Sequence, residues 1–202
     1  MSPSAQNRPL GDIERILGYQ DAIDDTTPLR VVADELVTVS CLTPQFCAAL
    51  IRSAEACGGF DQDPDDPVPG HEISLTQIST RLYDALQNDL GARIWPQLQQ
   101  HWPYIDYFGL NDAFIIKYSQ GQQEELRIHH DVAQVSGSVK LNDSYTGAEL
   151  EFPRQKYSNA GIPIGTLLAW PSLVTHPHRS TPLTSGTKYS LTLWFELPLQ
   201  LS

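Results

Sequence analysis

The chain is short of cysteine, of basic residues and of long apolar runs. Cys41, Cys47 and Cys57 are its only thiols, an odd count with no CxxC spacing. That pattern argues against a disulfide framework or a zinc ribbon and suits a reducing compartment. Lys and Arg number 13 against 24 Asp and Glu, for a formal net charge of -11. So acidic a surface repels nucleic-acid phosphates and anionic lipid, and neither is expected as a partner. No stretch approaches the roughly 20 consecutive apolar residues of a membrane span. The opening residues MSPSAQNRPLGDIERILGYQ hold no apolar segment of the signal-peptide kind, so a cytoplasmic location is expected. There is no internal repeat.

What is present fits a globular protein. The 202 residues are 41% hydrophobic, enough for one domain with a sizeable core. Residues 1–30 are polar and proline-containing and read as an N-terminal arm; residues 31–202 read as a single domain. RVVADELVTVSCL suggests a short strand pair or an entry strand. Thr43 followed by Pro44 marks a helix start, with a hydroxyl cap and proline in the first turn. Phe46, Leu50, Ala54 and Cys57 recur at helical spacing, and Gly58-Gly59 closes the helix. Cys47 and Cys57 read as small apolar residues of that helix. The acidic, proline-rich FDQDPDDPVPGHE is a loop.

A second helical region carries one apolar stripe, Ile78, Leu82, Leu86, Leu90, Ile94 and Leu98, each four residues after the last. Gly91 interrupts it, and Pro96 is expected to end or kink it. Beyond about residue 110 the period changes to that of strands. AFIIKYS, ELRIHHD, QVSGSVKL, AELEF, GTLLAWP and TKYSLTLWFEL are β-branched or aromatic runs punctuated by turn residues. Helices first and antiparallel strands after predict an α+β domain, with the helices on one side of a β-sandwich or barrel.

The chemistry concentrates in ELRIHHDVAQ. Alternate side chains of a strand share a face, so His129 and Asp131 point one way and His130 the other. They form two corners of a metal site, and His176 and His178 in VTHPHRS are both candidates for the third. Two histidines and one carboxylate occupy one face of an octahedral iron(II) and leave three positions open, which suits a chelating 2-oxo acid and dioxygen. Such a cosubstrate also needs a cation for its distal carboxylate. Lys188, in an apolar strand, is either that buried cation or a strand-edge lysine in water.

The stretch from about Asp112 to Glu196 resembles the prolyl 4-hydroxylase and lysyl hydroxylase branch of the Fe(II)/2-oxoglutarate-dependent oxygenases. The resemblance lies in Tyr118 and Gly121 of IIKYSQGQ, His129-His130-Asp131, LNDSYTGAELEFP, GTLLAWPS, and the run from His178 through Pro182 and Gly186 to Lys188. DELVTVSCLTPQFCAALIRSAEA is similar to the family's first strand and helix. The resemblance implies a double-stranded β-helix (jelly-roll) core with N-terminal helices packed on one sheet. It implies His129, Asp131 and His178 as iron ligands, its register favouring His178 over His176. It implies Lys188 as the residue that holds 2-oxoglutarate, with Tyr118 in support; Thr192, on the same strand face as Lys188, is a further candidate to help. Fe(II), 2-oxoglutarate and O2 are the implied cofactors.

The expected reaction is hydroxylation of an unactivated C–H with release of succinate and CO2. An amino-acid-type small molecule is the expected substrate, and a prolyl, lysyl or other residue in a protein or peptide the alternative. Arg127, Gln134, Arg154 and Trp170 flank the metal motifs and are candidates to line the substrate pocket. Two other classes stand beside this reading. A zinc hydrolase would use the same three ligands but has no use for Lys188. A non-catalytic β-sandwich binding module would leave the three ligands unexplained together.

Overall fold

The computed structural model describes residues 28–197, so nearly all of the expected N-terminal arm lies outside the described residues. The chain enters through a hairpin, β1 (Arg30–Ala33) and β2 (Leu36–Ser40). Helix α1 (Pro44–Cys57) starts as the sequence predicts: Thr43 is extended and its hydroxyl accepts from the Phe46 amide at 3.2 Å. Gly58, at φ +65°, ends it. Phe46, Cys47, Leu50 and Ala54 are buried. Cys57 is not: the last turn of α1 leaves the core, so the apolar role expected of this thiol is corrected.

After β3 (Glu72–Ser74) comes the striped region. It forms a single turn α2 (Leu75–Ile78), helix α3 (Thr80–Asp89), a π-helical turn over Leu90–Ile94, and α4 (Trp95–His101). Ser79 caps α3 by accepting from the Leu82 amide. All six stripe residues are buried. Pro96 does not end the helix. The wider π turn breaks the hydrogen-bond register just before it, so the missing proline N–H falls in a new first turn. Gly91 is needed here because a Cβ would collide with the Tyr107 ring.

The remaining strands are β4 (Leu110–Ser119), β5 (Leu126–His129), β6 (Val135–Lys140), β7 (Tyr145–Gly147), β8 (Leu150–Phe152), β9 (Tyr157–Ser158), β10 (Thr166–Pro171), β11 (His178–Ser180) and β12 (Leu183–Phe195). They build two antiparallel sheets. The larger runs β1-β2-β10-β6-β12-β4-β3, with β7 also paired to β12; the smaller runs β5-β11-β8-β9. One face of the larger sheet packs on the helices: Val37, Ala113, Ile115, Val139, Leu167 and Leu191 join the helix stripe in the main core. The other face meets the smaller sheet through Leu36, Leu168 and Trp170 against Leu150 and Phe152. This is the helix-backed double-sheet arrangement expected from the sequence. Among the described residues no helix is long and apolar enough to cross a membrane.

Candidate active site

Two short strands of the smaller sheet make the metal corner. β5 and β11 are antiparallel, and His129 lies directly opposite His178. Asp131 is not on the strand, as ELRIHHD suggested; β5 ends at His129. The Asp131 carbonyl instead accepts from the Leu173 amide at 2.9 Å, which returns the carboxylate to the side of the two imidazoles. His129 Nε2 lies 3.6 Å from Asp131 Oδ1, and His178 Nε2 lies 3.7 Å from Asp131 Oδ2. These separations are too long for hydrogen bonds. One ligand atom from each residue fits within a 4.8 Å span.

Asp131 Oδ2 is buried and has no hydrogen-bond partner among the described residues. A buried carboxylate oxygen is costly when unsatisfied, and a cation held between it and the two Nε2 atoms would satisfy it. The imidazoles are turned for that task. His129 Nδ1 is 2.9 Å from the Arg127 carbonyl, and His178 Nδ1 is 2.9 Å from the His176 carbonyl. A carbonyl only accepts, so each Nδ1 carries the proton and each Nε2 presents its lone pair. Burial pushes His178 down to about 4, against the opposing pull of Asp131, so its ring is neutral at neutral pH. Trp170 meets it edge-on at 5.0 Å. The residues present fit a divalent metal with a two-histidine, one-carboxylate ligand set.

His176 takes no part. It is buried, with Nδ1 2.9 Å from the Thr175 hydroxyl and Nε2 3.4 Å from the Asp34 carbonyl. His130 is exposed at the cavity rim.

The second corner lies on the larger sheet. Lys188 of β12 pairs with Tyr118 of β4, and both are 3% exposed, which excludes the strand-edge reading. The Lys188 ammonium donates to the Ala148 carbonyl at 2.6 Å and sits 4.6 Å from the centre of the Tyr118 ring. It has no carboxylate partner among the described residues. Burial therefore pushes it down to about 7, helped by Lys140 and opposed by Glu149. Burial likewise raises the Tyr118 hydroxyl, which stays protonated.

A cavity of about 270 Å³ joins the two corners. His129, Asp131 and His178 line it together with Lys188, Tyr118 and Thr192, and Trp170 forms part of its wall. Three expected pocket residues are elsewhere. Arg127 is exposed and donates to the Pro67 carbonyl. Gln134 ties Asp106 to the Glu196 carbonyl. Arg154 is exposed and reaches the Thr175 carbonyl. Sequence reasoning missed the far wall, where Asp66, Val68 and Glu72 face the void. Its only signal was the density of acid in a stretch that read as a loop.

The 2OG-Fe(II) oxygenase superfamily profile matches residues 113–196, which carry all three ligands and Lys188. Over those residues the chain is similar to the 2OG-Fe(II) oxygenase superfamily. It is 32% identical over 181 residues to mouse procollagen-lysine,2-oxoglutarate 5-dioxygenase 1, covering 79% of this chain and 25% of that protein. A mimivirus procollagen lysyl hydroxylase and glycosyltransferase is 25% identical over 182 residues, 79% of this chain and 19% of that protein. The chain thus spans about a quarter or less of these two relatives. Among solved structures, the viral collagen prolyl hydroxylase of Paramecium bursaria Chlorella virus-1, in complex with 2OG, superposes with a TM-score of 0.61. It shares 18% identity and covers 82% of this chain and 97% of the viral one. A Pseudomonas putida prolyl-4-hydroxylase gives 0.58 at 18% identity, covering 94% and 100%. At that identity the likeness shows the fold, and it is the fold of these oxygenases.

Proposed function

We propose that this oxygenase domain is an Fe(II)- and 2-oxoglutarate-dependent dioxygenase that hydroxylates an amino-acid residue within a peptide or protein. One observation carries the reading: a two-histidine, one-carboxylate cluster, buried at Asp131 and His178 and half-buried at His129, shares a cavity with a buried lysine that lacks a counter-charge among the described residues. Bound iron(II) and 2-oxoglutarate would supply the chemistry that activates dioxygen and oxidises an unactivated C–H bond. The chain's own residues do the rest. His129, Asp131 and His178 hold the metal on one side only, leaving the cavity side open. Lys188 receives the distal carboxylate of the cosubstrate, and its pull toward neutrality is reversed once that anion arrives. Tyr118 floors the ammonium, and Trp170 and Phe152 shield the metal corner from water.

The small-molecule substrate favoured by sequence gives way to the polypeptide alternative. The relatives that match over most of this chain bear the names of enzymes acting on procollagen lysine. The experiment is to add iron(II) and 2-oxoglutarate to apo-protein without oxygen and record the visible spectrum. The weak charge-transfer band of a chelated 2-oxo acid is expected. Succinate release with lysyl and prolyl peptides then tests turnover. A folded, iron-loaded protein with no band would sink the reading.

A further inference from the structure

Two of the four charged residues that line the cavity have a use in the reading above, on which this inference rests. Asp131 belongs with the metal and Lys188 with the cosubstrate. Together these groups cancel: a dication and an ammonium against one aspartate and a dianion. Glu72 and Asp66 are left over.

Glu72 stands on β3, opposite Ile116 of β4. It is half-buried and faces the cavity beside Ile116, Phe114 and Trp194. Its carboxylate lies over the buried backbone of Gly70, where a Cβ would come within 2.6 Å of Oε2. A side chain at position 70 would displace it. Glu72 makes no ion pair among the described residues. Burial first, then Asp112, Asp66 and Asp63, push it up to about 7. A carboxylate so placed, with Asp112, Asp66 and Asp63 acting on it and no ion pair among the described residues, adds little to the fold and is poised for an incoming cation. The walls beside it are apolar and aromatic, which suits the aliphatic stem that carries an ammonium.

We propose that Glu72, backed by Asp66, receives the cationic end of the primary substrate's side chain, so that this cavity selects a lysyl-type residue over a neutral one. Glu72 is then a specificity-determining residue that touches substrate and leaves metal and cosubstrate alone.

The test uses two end-blocked peptides, identical except for a central lysine or norleucine. Their binding to the intact protein is measured by calorimetry without oxygen, with Mn(II) and 2-oxoglutarate. The wild type should prefer lysine by about tenfold or more. Glu72→Gln should bring lysine affinity down to that of norleucine, and Glu72→Asp should keep part of the preference. Thermal melts of each variant confirm that the comparison is made on folded protein. Equal binding of the two peptides by the wild type, or an undiminished preference in Glu72→Gln, overturns the proposal. The visible iron band reports on metal and cosubstrate separately. Its absence from the wild type would defeat the oxygenase reading, while a lysine preference measured without metal would still report on Glu72.

Discussion

The two faces of the larger sheet come from the same strands and do opposite work. Along β12, Leu191, Leu193 and Phe195 face the helices, while Lys188, Ser190, Thr192 and Trp194 face the cavity. Along β6, Val139 is in the helix-backed core and Ser138 lines the cavity. The period of two sorts burial from chemistry residue by residue. One face holds the fold; the other tolerates a buried lysine and looks across the cavity at the orphaned carboxylate oxygen of Asp131, and each of these groups carries a stability penalty. Substitutions on the helix side and on the cavity side should therefore separate stability from function.

The strongest test of that separation is Asp131→Ala. The visible iron band and turnover should fall by about a hundredfold or more. The melting temperature of the metal-free protein should stay level or rise, because an unsatisfied buried group has gone. Leu191→Ala is the mirror experiment. This fully buried residue of a central strand should cost about 2–5 kcal/mol in denaturant unfolding and leave the iron spectrum of the folded fraction intact.

Lys188→Met should show effects of both kinds. Affinity for 2-oxoglutarate should drop by at least about tenfold. Without cosubstrate, the wild-type lysine holds its proton to about 10.5 when unfolded but releases it at about 7 when folded. Wild-type stability should therefore climb as pH rises through that window. The climb should be smaller in Lys188→Met, as read from unfolding curves across the range. The smallest effect is expected from Arg154→Ala, exposed and off the cavity, with stability within about 0.5 kcal/mol and unchanged 2-oxoglutarate affinity.

Much of the arrangement can be read from local chemistry. Thr43-Pro44 caps a helix wherever it occurs, the stripe from Ile78 to Leu98 needs one wall to lie against, and His129 and Asp131 are two residues apart. Other features depend on what lies far away in sequence. Asp131 leaves its strand because the Leu173 amide claims its carbonyl. Arg127 shares parity with His129, but it sits on an edge strand and reaches out to Pro67 instead of into the cavity. Pro96 is tolerated inside the striped region because the preceding π turn resets the register. Glu72 was hidden in plain composition. Only the pairing of β3 with β4 brings one acid of that stretch indoors.

The pairing of His129 with His178 has a mechanical side. β5 is four residues long, lies at the outer edge of its sheet and is bonded to β11 alone. An ion gripped by both histidines stitches that hem, tying a loose border strand to its neighbour. Loading the metal and fastening the border become one event, and by mass action the supply of iron sets how firmly this corner is sewn shut.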